Sequence, residues 1–152
     1  NVFGRRQDPE GAYAAVIPKF VKALINHESP VIFGDGLTSR DFTYVDNVIQ
    51  INMLAAITQN PNAINQVYNV ACGENNNLNQ LVTYLKEFLS EYDVEILKIE
   101  PQYGTERAGD VRHSLASIDK AKSLLGYQPT HLFKEGLKEA VGWYNSYFFQ
   151  LR

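Results

Sequence analysis

The stretch Val31-Ile32-Phe33-Gly34-Asp35-Gly36 is a short apolar run that ends at a pair of glycines, and Pro30 leads into it. A second run, Asp41-Phe42-Thr43-Tyr44-Val45, follows after a compact polar connection. β-Branched and aromatic residues between proline and glycine signals are typical of strands. We therefore predict two short strands around a turn, and the helical patterns on both sides of them predict an α/β or α+β fold.

The segments next to this pair of strands carry helical patterns. Upstream, apolar residues between a turn at Gly11 and Leu24 form the wide stripe of a packed helix, with Pro18 in its first turn. Downstream, Asp46 is placed to cap a second helix, whose apolar residues recur at helical spacing. These apolar positions are Val45, Val48, Ile49, Met53 and Ala56.

The second half of the chain mixes strand and helix signals. The run 66–71 is short and contains β-branched residues, which predicts a buried strand. Asn77 is placed to cap a helix over 78–92, whose apolar residues share one face. Extended segments are predicted at 94–99 and 111–116, on either side of a polar loop.

Two further helices complete the pattern. Asp119 is placed to cap a short helix that ends at Gly126. The last helix has an apolar face from Phe133 to Phe148, although each glycine inside it costs about 1 kcal/mol. No internal repeat, low-complexity tract or linker separates these elements, so we predict no domain boundary within the chain.

Composition excludes several classes of protein. The chain has 152 residues and a net charge of −3, so it offers no general attraction to nucleic acid or to an anionic membrane. Its single cysteine, Cys72, forms no internal disulfide, and no segment reaches the roughly 18 consecutive apolar residues of a membrane span. We expect a cytoplasmic protein that binds anionic ligands through locally placed cations.

The first residues suggest that the chain is part of something longer. Asn1 stands where an initiator methionine is expected, and the only methionine is Met53. Asn1-Val2-Phe3-Gly4 has the pattern of a strand end that runs into a turn. We interpret this start as a truncation, and removal of a processed N-terminus is the alternative.

Catalytic signals are missing from the sequence. The ten glycines contain no GxGxxG spacing, so no dinucleotide-phosphate loop is predicted. His27, His113 and His131 are widely spaced and, with one cysteine, predict no metal site. None of the nine tyrosines is followed four residues later by a lysine, so the proton-transfer pair used beside a nicotinamide is absent. We predict no catalytic residue in this chain.

Two arginines occupy positions suited to an anion. Arg40 lies at the entrance of the second predicted strand, and Arg107 begins the loop sequence Arg107-Ala108-Gly109-Asp110. The glycine in that loop lets the backbone approach a ligand closely. Guanidinium groups match phosphate oxygens bidentately, so two of them suit a diphosphate, although either arginine alone is more simply a solvated or structural side chain.

Several short segments occur together in an order and spacing found in a known family. They are Asn1–Gly4, Val31–Gly36, Ser39–Phe42, Val45–Asn47, Tyr68–Val70, Arg107–Asp110 and Glu135–Leu137. This set resembles the nucleotide-sugar epimerase and dehydratase branch of the extended short-chain dehydrogenases/reductases, and residues 1–19 are most similar to bacterial UDP-N-acetylglucosamine 4-epimerases. The resemblance implies the last Rossmann elements plus the small α/β substrate-binding domain, with the N-terminal NAD-binding half absent.

The resemblance implies a function for the intact protein. NAD would take hydride from C4 of UDP-N-acetylglucosamine or UDP-glucose and return it to the opposite face, in polysaccharide precursor synthesis. The absent half would bind most of the NAD and pack against residues 45–71, the intact protein would be a homodimer, and this portion alone would be inactive. The alternatives are a nucleotide-sugar dehydratase, decarboxylase or reductase of the same fold, or a non-catalytic nucleotide sensor.

The resemblance also implies a set of substrate-binding residues. They are Asn1, Gln7, Ala15, Val16, Lys19, Val31, Ile32, Phe33, Arg40, Arg107, Asp110 and Ser114. Arg40 and Arg107 would bind the diphosphate, Asp110 a ribose hydroxyl, and residues 31–33 the uracil. Ser114 would border the sugar, where a small side chain admits an N-acetyl group. The other members would contact the nucleotide or the sugar.

Overall fold

The computed structural model describes residues 1–8 and 15–150, so the turn predicted at Gly11 lies outside the described residues. The strands, in chain order, are β1 (Val2–Phe3), β2 (Val31–Phe33), β3 (Ser39–Arg40), β4 (Thr43–Tyr44), β5 (Asn76–Asn77), β6 (Gln102–Gly104) and β7 (His113–Ser114). The helices are α1 (Val16–Ile25), α2 (Val45–Ile57), α3 (Leu78–Leu89), α4 (Asp119–Leu125) and α5 (Phe133–Gln150). The chain is therefore an α/β protein with short strands.

The strands form three small sheets. β1 pairs in parallel with β4, and β2 pairs in parallel with β6. β3 lies between β5, which is antiparallel to it, and β7, which is parallel to it. The two strands predicted first are both present, but each pairs with a different neighbour, and the second shortens to two residues because Val45 already begins α2.

The main core lies where α1, α3 and α5 pack against one another. Leu24, Leu85 and Leu137, one from each helix, are fully buried. Phe42 stacks on Phe133 with 4.9 Å between the ring centroids, which attaches the strand region to α5. Burial of these apolar side chains supplies the main stabilising free energy of this half of the fold.

A second, smaller core lies between α2 and α4. Its buried residues include Ile51, Ile118 and Leu125. Tyr127 is fully buried beside them and donates its hydroxyl hydrogen to the carbonyl oxygen of Ala71 at 2.9 Å. This hydrogen bond satisfies the one polar atom of a buried aromatic side chain.

Three local predictions are confirmed. Asn77 caps α3, where its side chain accepts from the backbone N–H of Gln80 and the Gln80 side chain accepts from the backbone N–H of Asn77. Gly126 ends α4 with a φ of 68°, the left-handed conformation that glycine adopts without steric cost. Pro18 lies in the first turn of α1, where it removes no helical hydrogen bond.

Two capping predictions are wrong. Asp46 and Asp119 both lie inside the first turn of their helices, after N-cap residues whose side chains make no capping bond. Asp46 instead pairs with Arg5 at 3.2 Å. The backbone N–H of Asp119 donates to the hydroxyl of Ser117 at 3.3 Å. An aspartate in the first turn still interacts favourably with the helix dipole, which explains why it resembles a cap in sequence.

Three predicted extended segments differ from the structure. Residues 66–71 form no strand, because no other described strand lies beside them to complete a hydrogen-bonded ladder. Residues 94–98 form a short 3-10 helix, which begins where the Asp93 side chain accepts from the backbone N–H two residues later. Within 111–116, only His113–Ser114 is a strand.

The apolar stripe predicted for α2 is mostly exposed. Ile49 and Met53 are 52% and 62% exposed, whereas the buried residues of this helix are Asn47 and Ile51. Asn47 is buried because its side-chain oxygen accepts from the backbone N–H groups of residues 130 and 131. Within the described part of the chain, no other element therefore covers the side of α2 that carries Ile49 and Met53.

Candidate functional site

A cleft of about 870 Å³ lies between the N-terminus of α1, strand β2 and the loop 105–112. Its volume falls within the range of roughly 300–1,000 Å³ that is usual for small-molecule sites. Most of the implied substrate-binding residues line it. These are Asn1, Gln7, Ala15, Val16, Lys19, Val31, Phe33, Arg40, Arg107 and Asp110.

The N-terminus of α1 opens into the cleft through Ala15 and Val16. Among the described residues no side chain caps this helix end, where Ala15 is the N-cap, and the first turn contains no acidic residue. Backbone N–H groups at such an end carry partial positive charge and attract anions. Lys19 lines the same wall and adds a full positive charge. This wall therefore suits a phosphate group.

Strand β2 contributes alternate side chains to the cleft. Val31 and Phe33 face it and are 44% and 38% exposed, whereas Ile32 between them is fully buried in the main core. Successive side chains of a strand point to opposite faces, so Ile32 cannot share the role implied for its neighbours. The alternation was visible in the sequence and would have excluded Ile32.

Arg40 and Asp110 line the cleft as an ion pair. The guanidinium of Arg40 donates to the carboxylate of Asp110 and to the carbonyl oxygens of Ser39 and Val111. Arg40 therefore holds the loop that carries Asp110 against strand β3. Much of its hydrogen-bonding capacity is used within the protein.

Asp41, the residue after Arg40, points away from the cleft and is 3% exposed. Its carboxylate accepts from the backbone N–H groups of Cys72 and Gly73 at 2.9 and 3.0 Å. Burial, with the charge of Asp41 as a smaller cause, raises the pKa of the Cys72 thiol to about 11. Asp41 is therefore a structural anchor beneath the cleft.

Arg107 lies over Phe33, with its guanidinium carbon 4.0 Å from the ring centroid. This distance is that of a cation–π contact. The two residues belong to different segments, the loop 105–112 and strand β2. The sequence predicted both as ligand contacts but did not predict that they touch.

The loop 105–112 is attached to the neighbouring turn by a second arginine. Arg112 pairs with Asp35 and lies 3.5 Å from the carboxylate of Glu106. The backbone N–H of Leu37 donates to the Asp35 carboxylate and, with Arg112, lowers the pKa of Asp35 below its ordinary value. Arg112 was not among the implied site residues, although it follows Arg107–Asp110 closely in sequence.

Ser114 is not among the residues that line the cleft. It belongs to β7, where its carbonyl oxygen accepts from the backbone N–H of Asp41 at 3.0 Å. Its position beside β3 is therefore set by the backbone ladder. The role implied for its side chain remains a prediction.

The cleft also contains residues that the sequence reasoning missed. They include Glu28, Ser29 and Pro30 before β2, and Thr38 after it. These four residues flank a strand whose side chains were expected to contact the ligand. That proximity could have identified them as cleft residues, because loops next to such a strand tend to border the same site.

The described part of the chain contains one group of potential metal ligands, and it does not line the cleft. Ligand atoms of Asp46, His131 and Glu139 lie within 4.8 Å of one another. Arg5 pairs with Asp46, and the hydroxyl of Tyr44 donates to Glu139 at 3.2 Å. These contacts satisfy the carboxylates internally and place a cation among them, so the arrangement is that of a polar network.

The sequence contains no glycine-rich spacing of the kind that holds the pyrophosphate of NAD at a strand–helix junction.

None of the helices in the described part of the chain has the length and apolar content needed to cross a membrane.

The cleft of this α/β domain brings together a helix N-terminus, nearby cations and an exposed aromatic ring, which are groups suited to an anionic ligand that contains a ring. The family model described as GDP-mannose 4,6 dehydratase matches residues 1–140, and the chain belongs to this family. It has the fold of the C-terminal part of an extended short-chain dehydrogenase/reductase.

Several similar proteins of known structure are UDP-sugar 4-epimerases. The UDP-glucose 4-epimerase of Thermotoga maritima, solved with UDP-glucose, is 39% identical with a TM-score of 0.84, over 97% of this chain and 44% of that one. The UDP-N-acetylglucosamine 4-epimerase of Methanobrevibacter ruminantium, in complex with UDP-N-acetylmuramic acid, is 43% identical with a TM-score of 0.83 over the same shares.

A curated relative, the putative UDP-glucose 4-epimerase of Methanocaldococcus jannaschii, is 36% identical over 94% of this chain and 43% of its own length. The chain therefore spans less than half the length of the curated relatives it matches. Other relatives are described as a decarboxylase and as dehydratases. Some structural neighbours contain NAD, which supports use of NAD in the family.

Proposed function

We propose that this chain is the substrate-binding portion of an NAD-dependent UDP-sugar 4-epimerase, and that its substrate is a UDP-N-acetylhexosamine. The observation that carries the proposal is the cleft, whose lining includes the N-terminus of α1, Lys19, Arg107 and Phe33. These groups match the parts of a nucleoside diphosphate, because cations and N–H groups bind phosphates and an aromatic ring contacts a base.

The residues of this chain act by binding and positioning. The α1 N-terminus, Lys19 and Arg107 hold the diphosphate, while Val31 and Phe33 cover the uracil. Asp110 accepts from a ribose hydroxyl while Arg40 keeps its loop in place. An anchored nucleotide leaves the sugar free to turn without leaving the enzyme, which uses binding energy to orient the reacting atoms.

The remaining steps belong to a longer, cytoplasmic, dimeric protein. NAD binding and proton transfer are assigned to an N-terminal half, because this chain fits neither function. The exposed apolar side of the segment 45–71 supports packing against that half. Its exposed residues are Ile49, Met53, Ile57, Ile64 and Val67. Contiguous exposed apolar surface of this kind is typical of an interface.

The ligand assignment is tested first by calorimetry with UDP on the full-length protein that contains this chain. Arg107→Ala should weaken binding by about 2–3 kcal/mol, because a charged contact to the diphosphate is lost. Lys98→Ala, which removes an exposed charge outside the cleft, is the matched control and should bind as the wild type does. Unchanged affinity in Arg107→Ala would remove Arg107 from the site.

The sugar is tested by product analysis. The full-length protein with NAD should convert UDP-N-acetylglucosamine to its C4 epimer, and Ser114→Tyr should reduce kcat/KM for this substrate more than for UDP-glucose. Equal losses for both sugars would exclude Ser114 from selecting the N-acetyl group. Formation of neither epimer would contradict the 4-epimerase assignment.

A dehydratase or decarboxylase is the second candidate, supported by relatives with those activities. The same incubation, repeated with the corresponding UDP-uronic acids, separates the candidates, because loss of water or of carbon dioxide changes the mass of the nucleotide sugar and epimerisation does not. A non-catalytic sensor would bind UDP and release no altered product.

A further inference from the structure

Phe33 is the one aromatic ring in the described lining of the cleft that is accessible. The other rings of the lining, Phe3, Phe20 and Phe42, are 2%, 5% and 4% exposed, whereas Phe33 is 38% exposed. A planar base gains most from contact with an aromatic face. A nucleobase in this cleft therefore has one ring available for stacking.

Arg107 already lies over the ring of Phe33, with its guanidinium carbon 4.0 Å from the ring centroid. A stacked base needs about the same separation from an aromatic ring. The guanidinium and a base therefore compete for the face of Phe33 that Arg107 covers.

Arg107 is also held less firmly than the other arginines of the loop region. Arg40 is paired with Asp110, and Arg112 with Asp35 and Glu106. Within the described residues, the side chain of Arg107 contacts Phe33 and pairs with no carboxylate. A cation–π contact at a partly exposed site is weak enough for a second anionic partner to replace it.

Resting on the proposed function, we propose that Arg107 makes binding of the nucleobase depend on the diphosphate, so that the cleft selects nucleoside diphosphates against nucleosides. Without a diphosphate, the guanidinium stays on Phe33 and excludes the base. With a diphosphate present, Arg107 moves to the phosphate oxygens and the base takes the ring. One residue thereby links two parts of the ligand.

The test compares uridine with UDP in the full-length protein, using calorimetry for UDP and ligand-observed NMR for uridine. Arg107→Ala should weaken UDP binding by about 30-fold, because the phosphate contact is lost. The same variant should bind uridine roughly two- to fivefold more tightly, because the competitor for the ring is gone. A gain in affinity cannot result from misfolding.

Two further variants separate competition from other effects. Phe33→Leu should weaken uridine binding, and adding Arg107→Ala to it should give no gain. Lys98→Ala should leave both ligands unaffected, which controls for net charge. If Arg107→Ala leaves uridine binding unchanged or weakens it while UDP still binds the wild type, the competition is disproved. Failure of the wild type to bind UDP would instead overturn the proposed function itself.

Discussion

At the scale of single residues, Gly136 shows how a neighbouring side chain changes the meaning of a glycine. Sequence alone counts it as a cost within α5. In the structure, a Cβ on Gly136 would lie 2.6 Å from Cβ and 2.7 Å from Cγ of Tyr44. The first turn of the helix approaches β4 this closely only because position 136 has no side chain. Gly142 lies further along the same helix, where an added Cβ would lie 3.6 Å from the hydroxyl oxygen of Tyr92, an ordinary contact distance.

These two glycines should therefore respond in opposite directions to alanine. Gly136→Ala should lower the free energy of unfolding by about 1–3 kcal/mol, because the core must shift to admit the methyl group. Gly142→Ala should raise it by up to about 1 kcal/mol, because alanine favours the helix. Urea unfolding followed by circular dichroism measures both. Equal effects of the two variants would contradict the close contact with Tyr44.

At the scale of elements, the loop 105–112 depends on the strands that flank it. It connects β6 to β7, while residues 34–38 connect β2 to β3, so both connections cross between the same two sheets. Arg112 joins them through Asp35. The local sequence predicted a glycine-containing loop with a cation, but the partner of Arg112 lies far away in the chain. Only the pairing of the strands brings the two charges together.

Loss of this ion pair should loosen the loop without unfolding the protein. Both side chains are about half exposed, at 45% and 46%, so solvent screens the ion pair and it contributes little to the stability of the fold. Arg112→Gln should weaken UDP binding by roughly two- to fivefold at low salt and by less at high salt. Asp35→Asn should have a similar effect, and the double variant should be no weaker than either single one. Additive losses would show that the two residues act independently.

At the scale of the whole molecule, the cores bury several groups that must remain neutral. Burial raises the pKa of Cys72 to about 11 and those of Tyr44 and Tyr127 to about 12. In the unfolded chain these groups ionise at their ordinary values of 9.0 and 10.0. The unfolded state therefore binds fewer protons than the folded state between about pH 9 and pH 12.

The free energy of unfolding should consequently fall as pH rises above about 9. The contribution of each group is complete below its unfolded pKa and is lost as pH passes through the folded value. Urea unfolding at a series of pH values between about 8 and 11 measures the decline. Cys72→Ala should remove the part that begins near pH 9. A free energy of unfolding that is constant over this range would contradict the burial of these groups.

The sequence by itself determined the elements whose signals are local. The cap at Asn77, the helix end at Gly126 and the apolar face of α5 depend on residues within a few positions of one another, and each was predicted. Local signals suffice for these elements because helix ends involve neighbours along the chain. The substrate contacts were implied by the family resemblance, and most of those residues line the cleft.

Only the tertiary structure decided which distant groups meet. In the folded protein Arg107 contacts Phe33, and Arg112 pairs with Asp35. The apolar stripe predicted for α2 is mostly exposed. Residues 66–71 have strand-like composition but form no strand, because a strand exists only when a neighbour supplies hydrogen bonds. Such contacts depend on chain segments far apart in sequence, and local periodicity carries no information about which segments become neighbours.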